Sequence, residues 1–503
     1  MNDKKQEILI RKYFQENNFA SSNIASYNNF IENELANIIS ELQEIKPTII
    51  PHDIDEFEIK FDKIWVEPVD KHTDDKGPTI VEADGSKRKI FPNEARLRKL
   101  SYVTPVYANI SAHINGVQRE SFTTELCQIP VMLRSKYCHL NGFNKDDLVN
   151  VNEDPYELGG YFIIAGTEKT LVAVEDLAPD KLMVDGAGSA AVGKLYSEFS
   201  NYRIPHTVEL SKDGILTISF ARYKKIPLVP ILKSLGFLKD SEIAEIIDLG
   251  KDNDTMFINL YEFVELKTEE DALDFLSKKM GINQTRETRL IRAQDILDKA
   301  LLPHLGTSPQ ARIFKAYNIS KYIKRYIDLA NKKYDNYSKD HYANKKLKLA
   351  GPLLGDLFRF NLKVLINDLL FNFQRIVKRG KFPSIKVIIR NKLLTKRINS
   401  AMATGNWVAG RKGISQRIQR INYHDYVSSL QRVVSLLSTT QENFDARSLH
   451  CTHMGRLCPI ETPEGTNVGL KKNLSILARI SNKVSNKEEL LSHMREAGLK
   501  TIF

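Results

Sequence analysis

RSLHCTHMGRLCPIETPEGTNVGLKKNLS, residues 447–475, sets Pro459, Pro463, Gly455, Gly465 and Gly469 among the charges Arg456, Glu461, Glu464, Lys471 and Lys472. Proline fixes φ and glycine frees it, so alternating them bends a backbone without leaving it floppy. The stretch is expected to be an ordered irregular loop that places side chains, and such loops carry function more often than they support a core. Glu461 and Glu464, three positions apart, can be read as a catalytic or metal-clamping carboxylate pair. With Arg456, Lys471 and Lys472 beside them, orienting ion pairs are the preferred reading. His450, Cys451, His453 and Cys458 do not have the Cys-x2-4-Cys spacing of a structural zinc site, so core or hydrogen-bonded roles are expected for them.

Outward from that loop, charge is unevenly placed. From Lys345 to Arg432, 19 Lys and Arg stand against three acids (Asp356, Asp368 and Asp425), a balance of +16 in a chain of net charge +11. One segment thus holds the positive excess, as a phosphate-tracking surface requires; solvated helix faces are the plainer alternative. Within it, Arg411, Lys412, Arg417 and Arg420 supply cations, while Gln416 and Gln419 supply amides that both donate and accept. Cations neutralise phosphates and amides reach sugar hydroxyls or base edges without demanding one sequence. Four cysteines in 503 residues, with no Cys-x-x-Cys, argue against a disulfide framework and for a reducing, intracellular setting. The N-terminus has no apolar run of signal-peptide length and no window approaches a membrane span; a cytoplasmic protein without a membrane partner is expected.

The length allows two to four domains. Two amphipathic helices are expected over residues 1–46 around the polar run Asn17–Asn23. Phe57–Val69 alternates as a strand, and Lys71–Lys89 reads as a loop or hairpin tip. Asn93–Leu100 reads as a short helix, and Tyr102–Ile114 and Glu120–Leu133 as strands, the second ending at Arg134, Ser135 and Lys136. Gly159–Gly160 turns into a buried strand and lacks the GKS/T of a phosphate loop. Val184–Lys194 is Gly- and Ala-rich and reads as a crossover, followed by strands Thr207–Leu210 and Ile215–Ala221. Helices with breaks near Gly236 and Gly250 fill Val229–Met280, where Glu265, Glu269, Glu270, Asp271 and Asp274 make the segment acidic. Tyr334–Lys346 is a linker candidate, and Leu353–Val377 carries a strong helical stripe.

The string Cys458–Leu470, CPIETPEGTNVGL, resembles the CPxETPEGxNxGL signature of the second-largest subunit of multisubunit DNA-dependent RNA polymerases. ATGNW (403–407), GISQRIQR (413–420), KLKLAGPLLGDLF (346–358), PVMLRSKYCHL (130–140), GGYFIIAGTEK (159–169) and NEARLRKL (93–100) resemble the same family in the same order. The likeness covers almost the entire chain. It is nearest to the archaeal form in which the subunit is split, with this chain as the N-terminal half, B''.

The resemblance implies an α+β, multidomain fold: protrusion 1–180, lobe 181–340, a return to the protrusion at 341–395, fork 396–480, and the start of an external domain at 481–503. It implies one wall of a cleft that holds the RNA–DNA hybrid and parts downstream DNA. Arg411, Lys412, Gln416, Gln419, Arg420, Arg432, Arg447, Lys471 and Lys472 would contact nucleic acid. Gln416, Gln419 and Arg420 would face the hybrid, and Ser435–Asp445 would be the loop at the downstream fork. Arg456, Glu461, Pro463, Glu464 and Asn467 would shape the active site. Nucleotidyl transfer needs two Mg2+ ions. By the resemblance their ligands lie in the largest subunit and in the other half of this one, and the family's zinc site also lies in that other half. This chain is therefore expected to bind no metal or other cofactor, to be inactive alone, and to assemble obligately with the C-terminal half and the largest subunit on template DNA. Two rivals remain: a free-standing basic nucleic-acid-binding protein, which would not need partners, and a hydrolase using Glu461 and Glu464.

Overall fold

The apolar stripe noted around Leu354, Leu362 and Leu369 produces a helix of 28 residues, Ala350–Val377, in the computed structural model of the chain. Described are residues 3–499 apart from 17, 43–44, 52–53, 70–75, 187, 200–201, 248–253, 333–337 and 482–486. The start of the expected loop at Lys71, the break at Gly250, the start of the linker at Tyr334, and residues 482–486 and 500–503 of the expected external-domain start lie outside them. The chain divides into two units, residues 1–176 with 347–503, and residues 177–346. The boundaries expected from sequence stand at 180/181 and 340/341.

In the first unit the long helix buries Leu353, Leu357, Phe358, Leu362, Leu365, Leu369 and Phe373, each worth about 1.5–3 kcal/mol when removed from water. A helix N-terminus leaves N–H groups without intrahelical acceptors. Here Ala350 N–H donates to Asn23 Oδ1 and Gly351 N–H to Ser26 Oγ, each at 3.1 Å, both acceptors sitting on the helix Ser21–Asn29. Only glycine permits that approach, since a Cβ at Gly351 would lie 2.3 Å from the Ser26 carbonyl oxygen. The same core includes an antiparallel sheet in which Val103–Ile114 lies between Phe57–Val66 and Val117–Pro130. Phe57 stacks on Phe373 with ring centroids 4.8 Å apart.

The third of these strands ends at Pro130, short of the end expected at Arg134–Lys136, because proline cannot continue the ladder and Val131, Met132 and Leu133 turn into the core. Arg134 takes φ 61° and its guanidinium donates to the carbonyls of Glu157 (2.6 Å) and Phe143 (2.8 Å). It pins a turn and does not serve as loose strand-end charge. Lys136 pairs with Glu32 at 2.5 Å.

The second unit holds a five-stranded antiparallel sheet in the order Tyr223–Pro227, Leu216–Phe220, Tyr202–Leu210, Val192–Phe199, Met183–Asp185. The crossover expected at Val184–Lys194 is a short connection between two paired strands: its ends belong to Met183–Asp185 and Val192–Phe199, with one helical turn at Gly188–Ala190 between them. Its small residues leave room for Tyr326, whose hydroxyl donates to the Ala191 carbonyl at 2.7 Å. Periodicity missed this because Gly and Ala carry little alternation. Helices Leu228–Ser234, Asp240–Ile247, Asp254–Glu262 and Glu269–Lys279 follow. Three of the acids noted there, Glu269, Glu270 and Asp271, form the first turn of the last helix, where the macrodipole favours negative charge.

His206 gives this unit a pH dependence. It is 1% exposed, and burial lowers its pKa from 6.5 to about 4. Its Nδ1 lies 3.0 Å from the Ile204 carbonyl while Nε2 accepts the Leu302 N–H at 3.2 Å. The neutral ring satisfies both contacts, and a proton on Nε2 would face a donor. Since the folded pKa lies below the unfolded one, this contribution is complete above pH 6.5 and is lost as pH falls toward 4, up to about 3 kcal/mol. Amide protection within residues 177–346 of the full chain is expected to be weaker at pH 5 than at pH 7, with a smaller change in His206→Gln. An equal change in both proteins would contradict this.

Candidate nucleic-acid interface

Short strands position the basic segment. Ser415–Arg417 pairs antiparallel with Thr167–Leu171, setting Gln416 opposite Thr170 and Arg417 opposite Lys169. Exposure rises along the strand, from buried Ser415 through half-buried Gln416 to exposed Arg417 at its end. Like charges facing each other across a ladder repel, and a bound polyanion relieves that repulsion. Arg432, at the head of the strand Arg432–Ser435, places Nη1 3.5 Å from Gln416 Oε1. Gln416, Arg417, Arg432 and Lys169 therefore share one locality. Lys412, Arg417 and Gln419 are exposed, and Arg411, Gln416 and Arg432 half-buried; Arg411 is held by Asp176 at 3.2 Å.

Arg420 sits differently from its neighbours. Its Nε donates to Glu168 Oε2 at 2.6 Å and its Nη2 to the Tyr161 hydroxyl at 2.9 Å, with Glu157 3.4 Å away. Its guanidinium also lies 4.2 Å from the Tyr426 ring centre. Behind it, Arg96 reaches Glu168 (2.8 Å) and Glu153 (2.7 Å), and Glu157 accepts from the Gly159 N–H, Tyr161 and Tyr426 at 2.9, 2.9 and 2.5 Å. Burial pulls the Glu168 pKa up, but hydrogen bonding and charge from Arg420 and Arg96 outweigh it and hold the carboxyl below its usual range. Burial pushes the Tyr161 hydroxyl well above its usual pKa. Arg420 thereby ties the Gly413–Arg420 segment to the core, a role that sequence reading missed. Tyr161 and Glu168 stand inside the quoted GGYFIIAGTEK run, yet nothing in one sequence joins Glu168 to an arginine 252 positions away.

The loop 447–475 is ordered by its own polar groups. Thr462 Oγ1 donates to the Lys471 carbonyl at 3.0 Å and accepts the Gly469 N–H at 2.9 Å. Arg447 donates to the carbonyls of Thr439, Thr466 and Val468 at 3.1, 2.8 and 3.0 Å, clamping residues of the 435–445 loop to the Thr466–Val468 turn. The ion pairs expected for Glu461 and Glu464 are not made among the described residues. Glu461 instead accepts from Ser428 Oγ at 2.5 Å, and Arg456 donates to the Thr452 carbonyl at 3.1 Å. Lys472 is buried and reaches both Glu175 carboxylate oxygens at 3.2 and 3.1 Å. In Lys471–Asn473 the side chain of Lys471 is half-buried while Lys472 and Asn473 are both buried, so the Lys472 charge is met inside the fold by Glu175. Pro463 and Glu464 are exposed and Asn467 half-buried. His450 Nδ1 accepts the Thr452 N–H at 3.2 Å, a local cap, and no three His, Cys, Asp or Glu side chains among the described residues converge as metal ligands. No helix among them is long and apolar enough to cross a membrane.

A family model described as RNA polymerase beta subunit matches residues 18–396, and one described as RNA polymerase Rpb2, domain 3, matches residues 416–480. The DNA-directed RNA polymerase subunit Rpo2N of Methanococcus vannielii is 38% identical, covering 98% of this chain and 98% of its own length. That of Methanocaldococcus jannaschii is 39% identical over 94% of this chain and 95% of its own. Subunit Rpo2 of Saccharolobus shibatae is 38% identical over 95% of this chain but only 42% of itself, so the chain spans about two fifths of that longer relative. Taken with the α+β architecture, these matches place the chain in the RNA polymerase beta-subunit family, alongside its archaeal Rpo2N members.

Proposed function

We propose that the chain works as the N-terminal half of the second-largest subunit of a cytoplasmic DNA-directed RNA polymerase, a nucleotidyltransferase in which it forms one side of the cleft. In this reading residues 177–346 serve as the lobe, 396–480 as the fork, and most of the rest as the protrusion. The observation that carries it is the pairing of Arg417 with Lys169 beside Lys412, Gln416, Gln419 and Arg432. Two cations held face to face, next to amides that do not select a base, suit a backbone of any sequence. Lys412, Arg417 and Gln419 are assigned the direct contacts with the RNA–DNA hybrid. Arg420, Arg447 and Lys472 act by holding the loops in place, and Glu461, Pro463, Glu464 and Asn467 shape the neighbouring surface. The Mg2+ of nucleotidyl transfer falls to other chains of the assembly.

Exposed apolar side chains favour a subunit over a free-standing nucleic-acid binder. Ile421, Phe444, Leu449, Met454, Ile460 and Ile476 are 83, 73, 53, 55, 85 and 64% exposed, more apolar surface within one stretch than a protein that lives alone leaves to water. The C-terminal half and the largest subunit are the partners assigned to cover it.

The test uses the assembled enzyme on an RNA–DNA scaffold. Lys412→Ala with Arg417→Ala is expected to weaken scaffold binding about tenfold and to lower the slope of log affinity against log salt by about two. An unchanged slope would remove these two residues from the interface. Scaffold binding of equal strength by the isolated chain as a stable monomer would favour the free-standing reading.

A further inference from the structure

Within residues 177–346, the helices Asp240–Ile247 and Asp254–Glu262 flank a groove of about 650 Å3, within the size range of pockets that enclose small ligands and roomy enough for several side chains. The second helix is apolar on two sides. Met256 and Leu260 enter the core, while Phe257, Ile258 and Tyr261, with Val264 just beyond, are 56, 51, 81 and 48% exposed along the groove. A helix with a second apolar side beyond the one it buries ordinarily has that side covered. The acids here are Asp240 and Glu262, which line the groove, and Glu245, Asp254 and Glu265, which border it in sequence: Glu245 follows the lining Ala244, Asp254 precedes the lining Phe257 by one helical turn, and Glu265 follows the lining Val264. Lys233 and Lys239 are engaged by Asp240 and Glu242, and none of Glu245, Asp254, Glu262 and Glu265 is in an ion pair among the described residues.

That rim decides what fits. A nucleic acid would meet carboxylates and be repelled. A second copy docked groove to groove would bring two acidic rims together, because a two-fold interface sets each patch against itself. We propose that the groove docks a short amphipathic helix of a partner protein, apolar on the side that fills it and rich in Lys and Arg along its flanks. Helix-in-groove recognition lays the apolar face of a helix into such a trough, and acidic borders favour a helix with basic flanks. The assignment is separate from the nucleic-acid reading and uses none of its residues.

The probe is a synthetic Leu/Lys amphipathic helix, with a Leu/Glu counterpart of the same pattern, titrated onto the full chain while amide exchange is followed. The Leu/Lys peptide is expected to bind and to protect residues 254–264, and the Leu/Glu peptide not to bind. Phe257→Ser with Tyr261→Ser removes only exposed side chains, so folding should persist and affinity fall about tenfold or more. Glu245→Lys with Glu262→Lys should reverse the preference between the two peptides. Equal binding of both peptides, protection confined to other residues, or indifference to both variants would overturn the proposal. So would self-association of the chain that the Phe257/Tyr261 variant abolishes, since a second copy would then be the occupant.

Discussion

Gly469→Ala is expected to destabilise the 447–475 loop and the short sheet beside it by about 3–5 kcal/mol, the largest loss among the glycines of the quoted stretch. Two effects combine. Gly469 adopts φ 71°, and a Cβ there would sit 2.2 Å from the Arg447 carbonyl oxygen and 2.6 Å from its Cα. The obstacle is backbone, which cannot rotate aside as a long side chain can. Arg447 is moreover the residue whose guanidinium clamps Thr439, Thr466 and Val468, so displacing it loosens the loop from both ends. Gly465 provides the control: its φ is 78°, yet nothing lies within 4 Å of the added carbon. Gly465→Ala should cost only the left-handed backbone term, about 1 kcal/mol. Urea unfolding with limited proteolysis of the full chain measures both. Equal losses in the two variants would mean that the close approach to Arg447 has no energetic weight.

Glu157→Ala is the second large effect, expected to cost about 3–5 kcal/mol because it leaves buried polar groups short of their carboxylate. The Glu157 side chain is 1% exposed and is the shared acceptor for Tyr161, Tyr426 and the Gly159 N–H. Tyr426→Phe removes one donor and leaves the carboxylate its other partners, so about 1 kcal/mol is expected. In the assembled enzyme the Glu157 variant should also weaken the hold on the RNA–DNA scaffold, through Arg420 and the strand it anchors. Should Glu157→Ala cost no more than Tyr426→Phe, the network would be a loose collection of contacts with no common anchor.

Legibility followed the range of the interaction. Long apolar periodicities, such as that of Ala350–Val377, were readable because a helix face repeats every few residues. The strand Val192–Phe199 was not, since its pairing with Tyr202–Leu210, rather than any alternation of its own, makes it a strand. The positive charge of Lys345–Arg432 was visible as a sum, but not which cations keep it for a ligand. Arg420, Arg411 and Lys472 face Glu168, Asp176 and Glu175, carboxylates more than 230 positions earlier in the chain.

Sequence alone therefore determined the irregular 447–475 loop, the helical stripe and the concentration of cations, because each depends on residues close together in the chain. The family emerged from the order of its strings. Folding decided which charges reach water: Arg417 ends its strand exposed while Lys472 is buried against Glu175, and neighbours brought from far away neutralise some cations and leave others available. Electrostatic energy depends on distance and burial, and neither is written in the spacing of residues along a chain.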